Sequence, residues 1–318
     1  MTTRLPGAGA ACAALVSLAL AGCSQDSYPE VPGLLFVFGT TGMGLGEFSY
    51  PRAAVLEADG ALLVVDKSAR IQRFKPDGTA VAAWRTPEHE AGKPTGLGVG
   101  PDGRVYVADT HYSRVLVFSA DGQEVLRFGR RGAGPGEFVL PTDVAVARDG
   151  TIYVGEYSGF DRISRFTPDG RFEMSFGGRD AGEARLQRPQ GLLLDADGSL
   201  WVADACNHRI CHFTADGVLL ATLGREGVGA GELRFPYGLD WLSDGTLVVV
   251  EYGNNRVQRF TRDGRSLGTW GTAGRRPGQL AYPWAVVVAP GDRMYVIDSG
   301  NNRVQVVDAR HAGVWRMP

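Results

Sequence analysis

The chain has 318 residues, 44% of them apolar and 21% charged, with 45 glycines. That balance excludes a disordered chain, and so many glycines imply many turns. A formal net charge of -2 and an isoelectric point near 6.2 give no global field for nucleic acid or anionic lipid, so no nucleic-acid partner is expected.

The first element in chain order is a leader. Arg4 supplies a basic start, residues 8–21 are small or apolar and uncharged, and Leu20-Ala21-Gly22-Cys23 follows. This is the pattern of a secretory signal, and it falls short of the roughly 20 apolar residues that a spanning helix needs. The Leu-Ala-Gly-Cys end resembles the bacterial lipobox; an ordinary signal peptide cut at a similar place is the other reading. The resemblance implies a signal over residues 1–22, lipidation of Cys23 and a tether over 23–33. The implied location is the bacterial cell envelope, on the periplasmic side or the cell surface, with the membrane touched by the lipid anchor only. Cys12 leaves with the leader, so Cys206 and Cys211 are the cysteines of the folded part and disulfides do not hold it together.

From residue 34 onward the chain repeats itself. Leu63-Val-Val-Asp66 returns as Tyr106-Val-Ala-Asp109, Tyr153-Val-Gly-Glu156, Trp201-Val-Ala-Asp204, Val248-Val-Val-Glu251 and Tyr295-Val-Ile-Asp298. Successive acids lie 43, 47, 48, 47 and 47 residues apart. A proline precedes each copy (Pro51, Pro94, Pro141, Pro189, Pro236, Pro283), and an arginine follows each acid (Arg70, Arg114, Arg162, Arg209, Arg256, Arg303). Asp-Gly pairs such as Asp102-Gly103 and Asp121-Gly122 punctuate the apolar runs. They are strong hairpin signals, because these residues accept positive φ. Each copy therefore reads as four strands, and repeats of this length read as propeller blades. The expected fold is an all-β, six-bladed β-propeller over residues 34–318, with four antiparallel strands per blade.

The pattern Pro, apolar strand, Asp-Gly, Tyr-Val-Ala-Asp, Asn-x-Arg resembles the NHL repeat, best in Glu251-Tyr-Gly-Asn-Asn-Arg256 and Asp298-Ser-Gly-Asn-Asn-Arg303. The resemblance implies the fold and says almost nothing about function. Two segments compete to close the ring. Leu34–Phe38 is favoured as the fourth strand of the last blade; residues 314–317 are the alternative.

In such a blade both Asp-Gly turns lie on one face of the disc. The Gly-rich loops before each proline and the Asp/Glu-to-Arg hairpins lie on the other, which varies from copy to copy and is where a ligand is expected. The acid–arginine pairs recur in every copy and read as architecture. Glu156 and Glu251 stand where other copies have Asp, each followed by tyrosine (Tyr157, Tyr252), and their longer side chains are expected to reach toward the channel mouth. Residues just after the prolines should open the innermost strands: Arg52, Thr95, Thr142, Gln190, Tyr237 and Trp284. Tyr237 and Trp284, with Tyr252 and Tyr282 nearby, read either as ligand anchors or as packing between blades. Asp143 is the charged exception one position further on, and either binds a cation or basic group or is simply solvated.

The candidate ligand-binding set at the mouth is thus Arg52, Asp143, Glu156, Tyr157, Tyr237, Glu251, Tyr252 and Trp284. The ligand class is a protein or a small molecule, and no catalytic residue is assigned. The leading functional reading is an envelope-anchored, non-catalytic binding scaffold; the alternative is a metal-dependent envelope hydrolase or lyase at the channel mouth. Relatives with this propeller fold include a zinc-dependent amidating lyase and lactonase-like enzymes with a channel calcium. Zinc needs three convergent ligands, and the histidines do not display such a set. Asp143 and Glu156 could begin a calcium site, with no further ligands evident. No cofactor is expected. Cys206-Asn-His-Arg-Ile-Cys211-His212 has the form of an expanded haem attachment site, but its Asn-His-Arg aligns with Asn254-Asn-Arg256, so two free thiols fit better than a Cys206–Cys211 disulfide, and either fits better than haem.

Overall fold

The computed structural model describes residue 28, residues 30–311 and residues 313–317. The leader, Cys23 and most of the tether lie outside them. Six four-stranded antiparallel sheets form a ring. Blade one comprises Pro51–Leu56, Leu62–Asp66, Arg70–Phe74 and Ala80–Arg85. Blade three runs Leu140–Val146, Ile152–Tyr157, Arg162–Phe166 and Phe172–Phe176, and blades two, four and five repeat the plan. In every blade the strand after the proline is innermost and lines a central channel.

The ring closes as the sequence suggests. Leu34–Phe38 pairs antiparallel with Arg303–Asp308 and completes blade six. The competing C-terminal segment docks elsewhere. Arg316 exchanges two backbone hydrogen bonds with Thr269 on the outer strand of blade five, and Val314 is buried beneath it. Closure leaves no blade short of its outer strand, which limits the exposed edge.

The second strands are buried along all or nearly all of their length, as in Leu62–Asp66 and Leu247–Glu251. Blades pack face to face, so both sides of these strands are covered and they read as continuous apolar runs rather than alternating ones. The core is six such interfaces. Blade six meets blade one through Phe36, Tyr295, Ile297 and Val306 against Phe48, Leu62, Val64 and Phe74.

The outer Asp-Gly turns do more than reverse the chain. Gly78 has φ +84°, and a Cβ there would lie 2.9 Å from the ring of Phe38, the last residue of the preceding blade's outer strand. Trp84 covers Gly122, Phe128 covers Gly170 and Phe176 covers Gly217 in the same way. Leu223 seats on Gly264 likewise, so at five junctions an aromatic or leucine near the end of the outer strand covers the next blade's glycine, which explains why both recur.

Each repeated acid is fully buried and pairs with its arginine across the second and third strands. The separations are 2.9 Å for Asp66–Arg70, 2.8 Å for Asp109–Arg114, 2.6 Å for Glu156–Arg162, 2.8 Å for Asp204–Arg209, 2.5 Å for Glu251–Arg256 and 2.7 Å for Asp298–Arg303. Burial raises the Glu251 carboxyl, against the opposing pull of Arg256. Removing one partner of a buried pair strands the other charge. Glu251→Ala should therefore cost about 3–5 kcal/mol in urea unfolding, whereas Glu124→Ala, in an exposed pair, should cost under about 1 kcal/mol.

Candidate functional site

The six inner strands enclose a channel of about 360 Å³. At the face carrying the Gly-rich loops its mouth is built from residues flanking the prolines. Arg52, Thr95, Gln190, Tyr237 and Trp284 line it as expected. Thr142 does not, because its hydroxyl turns aside to donate to the Pro189 carbonyl at 2.5 Å.

Tyr237 and Trp284 form the floor, only 4% and 9% exposed. Their rings meet at 4.9 Å near the perpendicular, Tyr252 stacks on Tyr237 at 4.6 Å, and Tyr282 leans on Tyr252 at 5.2 Å. Tyr50 closes this wall, edge-on to Trp284 at 6.0 Å with its hydroxyl 3.4 Å from that of Tyr252. Burial pushes the Tyr237 hydroxyl up to about 12 and raises that of Tyr50 as well. Arg52 lies over Trp284 at 5.0 Å; Arg188 lies over Tyr157 at 5.0 Å and Tyr237 at 5.7 Å. The mouth is therefore an aromatic basin with two guanidinium groups in it, an arrangement suited to flat rings.

Four bulky side chains reach this face from an unusual backbone. Tyr50, Arg188, Phe235 and Tyr282 each precede a proline with φ of +55°, +59°, +49° and +50°. Such residues seldom adopt the left-handed region, and the strain needs support. The preceding blade supplies it. Asn302 accepts the Tyr50 N–H at 2.6 Å, Asp161 that of Arg188 at 2.7 Å, His208 Nδ1 that of Phe235 at 3.1 Å and Asn255 that of Tyr282 at 2.7 Å. In these four blades the residue just before the repeat arginine is thus an inter-blade clamp.

Two expectations are corrected. Glu156 and Glu251 do not reach the mouth; both are fully buried. Glu156 is held by Arg162 Nε at 2.6 Å and the Val139 N–H at 2.8 Å. Glu251 is held by Arg256, Asn254, Gln258 and the Arg234 N–H. The extra methylene is absorbed by the pair itself. Glu156 consequently does not join Asp143 in a metal site, and among the described residues no three His, Cys, Asp or Glu side chains converge to hold an ion.

Asp143 does line the channel. It touches channel solvent but is packed round by inner strands, and Oδ2 accepts the Leu192 N–H of blade four at 2.9 Å. Asp240, which sequence reasoning missed, does the same for Val288 of blade six at 2.7 Å. Both therefore bridge neighbouring inner strands. Burial pushes Asp143 up to about 7 and Asp240 up to about 6, against the lowering effect of their N–H donors. Cys206 and Cys211 are free thiols. Cys211 is buried beside Asp204, in the place that Gln258 and Gln305 fill in blades five and six.

Comparison with known proteins agrees with this architecture. A family described as a 6-bladed beta-propeller matches residues 100–158, and the NHL repeat matches residues 186–213 and 280–307. The chain carries NHL repeats on a six-bladed propeller. Among solved structures this NHL propeller is similar to virginiamycin B lyase from Staphylococcus aureus (TM-score 0.60, 14% identity, 86% of this chain and 94% of that one). A streptogramin B lyase has a TM-score of 0.60 at 18% identity, covering 86% and 87%. A putative gluconolactonase has a TM-score of 0.62 at 17% identity, covering 84% and 90%. At these identities the likeness is one of fold.

The NHL propeller's mouth also contains residues the repeat pattern hid. Tyr50 and Arg188 sit one position before their prolines, and that column (Tyr50, Lys93, Leu140, Arg188, Phe235, Tyr282) is readable as a variable one. The channel aspartates yield a pH test. An unfolded aspartate titrates near 3.9, so one raised to about 7 holds its proton more tightly in the fold. Its stabilising contribution is complete below about pH 4 and is lost as pH rises to about 7. Asp143→Asn keeps an acceptor for Leu192. Urea midpoints at about pH 5 and pH 8 should differ less in this variant than in the native protein; an equal difference would contradict the assignment.

Proposed function

We propose that this propeller is a non-catalytic binding scaffold whose ligand seats at the channel mouth, on the face of the Gly-rich loops and the Asp/Glu-to-Arg hairpins. One observation carries the reading. The side chains that break the repeat gather there (Tyr50, Arg52, Arg188, Tyr237, Tyr252, Trp284), while the repeated carboxylates are spent on ion pairs. A rigid ring presenting variable aromatic side chains in a concavity is how binding sites are commonly built. The ligand is a protein segment or small molecule offering a flat apolar ring to the floor of Tyr237 and Trp284.

The fluorescent amine N-phenylnaphthylamine probes such a basin. It should bind the native protein, and Trp284→Ala should weaken it by about tenfold, the scale of losing one well-packed aromatic anchor. Trp315→Ala, on the tail beside Arg259 of blade five, should leave binding unchanged. Equal loss in both variants, or none in Trp284→Ala, would refute the site.

We also propose that the scaffold is exported and held at the cell envelope by lipid on Cys23, on the strength of the Leu-Ala-Gly-Cys leader. Cys23→Ala should move the protein from the membrane to the soluble fraction of cells. Unchanged sedimentation with membranes would exclude the anchor.

A further inference from the structure

Every repeat arginine on the mouth face is spent on a buried acid. Arg52 and Arg188 depart from that rule. Among the described residues neither forms an ion pair, although each stands within the aromatic basin.

Arg52 donates from one terminal nitrogen to the Lys93 carbonyl at 3.0 Å, and its Nε is buried with no acceptor. Arg188 donates from Nε to Gln190 Oε1 at 3.3 Å. That bond turns the Gln190 amide nitrogen the other way. Gln190 is only 4% exposed, lines the channel, and its Nε2 also has no acceptor. Buried donors without acceptors are uncommon because leaving them unmet is costly. Two of them lie here, beside two guanidinium groups without counter-charges.

The local charge has the same sign. Burial lowers the Arg52 pKa, and the charge of Arg188 adds to the lowering. His111 is lowered by desolvation and then by Lys93 and Arg52, and the Lys93 backbone itself holds Arg52. Asp161 is the nearby acid, and it is engaged by the Arg188 backbone N–H at 2.7 Å and the Gly159 N–H at 3.3 Å. Asp143 and Asp240 hold N–H groups of the inner strands within the channel.

We infer that the mouth is an oxyanion site, which takes a ligand bearing a carboxylate or similar oxyanion on a flat ring. The oxyanion meets Arg52, Arg188 and the free amide donor of Gln190. The ring lies among Tyr237, Tyr252 and Trp284. Guanidinium suits this task because it is planar, always charged and able to donate twice to one carboxylate. The strained backbone of Arg188, clamped by Asp161 of the neighbouring blade, fits a side chain held in place for a ligand.

The inference rests on the binding reading above, and one pair of probes separates the two. Anilinonaphthalene sulfonate joins an oxyanion to flat rings; neutral N-phenylnaphthylamine offers the rings alone. Sulfonate should bind the native protein, and benzoate should displace it. The Arg52→Met/Arg188→Met variant, which keeps the apolar stems, should bind the sulfonate about tenfold or more weakly. Its loss of affinity for the amine, which also meets the guanidinium faces, should be several times smaller than its loss for the sulfonate. Added salt should weaken sulfonate but not amine binding in the native protein, a reading that needs no variant. Sulfonate binding that is absent, indifferent to both arginines or no more salt-sensitive than the amine would overturn the inference. If the amine then still binds through Trp284, the ring-binding mouth stands without its oxyanion; if neither probe binds, both readings fall.

Discussion

The buried acid–arginine pair is the interaction on which the rest of this propeller hangs. It closes the second and third strands at the mouth face, and it also gathers in the incoming loop. Arg256 reaches the carbonyls of Val228, Gly229 and Glu232, while Glu251 accepts the Arg234 N–H two residues before the proline. The same acid-to-loop bond recurs at Ser49, Val139, Gln187 and Ala281. The loops are glycine-rich because the chain must wrap a guanidinium closely, with carbonyls turned inward. A buried charge pair adds little net stability over an apolar one. Its value here is directional, since it fixes where each loop delivers the next inner strand and hence what surrounds the channel.

Blade two shows what happens when the device is incomplete. Its incoming loop has no Gly-x-Gly-x-Gly-Glu run, and one oxygen of Asp109 is left buried without a donor. Arg114 compensates by taking Glu88 from that loop at 2.6 Å and the Pro87 carbonyl at 3.2 Å. The irregular loop brings Lys93 beside the mouth, where its carbonyl steadies Arg52. The irregular loop entering blade two therefore shapes the mouth at blade one.

The fold was legible because period, turn chemistry and strand composition all agree, and because a propeller needs the same contacts six times. Even ring closure could be read, since Leu34–Phe38 looks like the other outer strands, which close on an aromatic or a leucine. The site was legible only in part. Arg52, Tyr237, Tyr252 and Trp284 stood out as departures at aligned positions. Glu156 and Glu251 misled because a longer carboxylate suggests reach, whereas the pair geometry absorbs a methylene without exposing it. Arg188 and Tyr50 were passed over because pre-proline residues are expected in extended conformations. Their left-handed turn, which throws the side chain over the mouth, depends on a clamp from another blade that sequence order does not reveal. Asp240 was hidden two positions further along its strand than Asp143, and only the stagger of neighbouring inner strands gives both the same task.

The two sets of charges in the channel divide along this line. An inner strand presents N–H groups that no fifth strand pairs, and Asp143 and Asp240 each satisfy one across a blade boundary. These acids are part of how the ring is held, and their raised pKa values follow from that burial. Arg52 and Arg188 satisfy no such need: their bonds to Lys93 and Gln190 hold them in position and leave donors over. A group whose hydrogen bonds are completed by the fold explains the fold. Arg52 and Gln190 are positioned by the fold and left with unmet donors beside Arg188, and at this aromatic-lined mouth those donors call for an acceptor from outside.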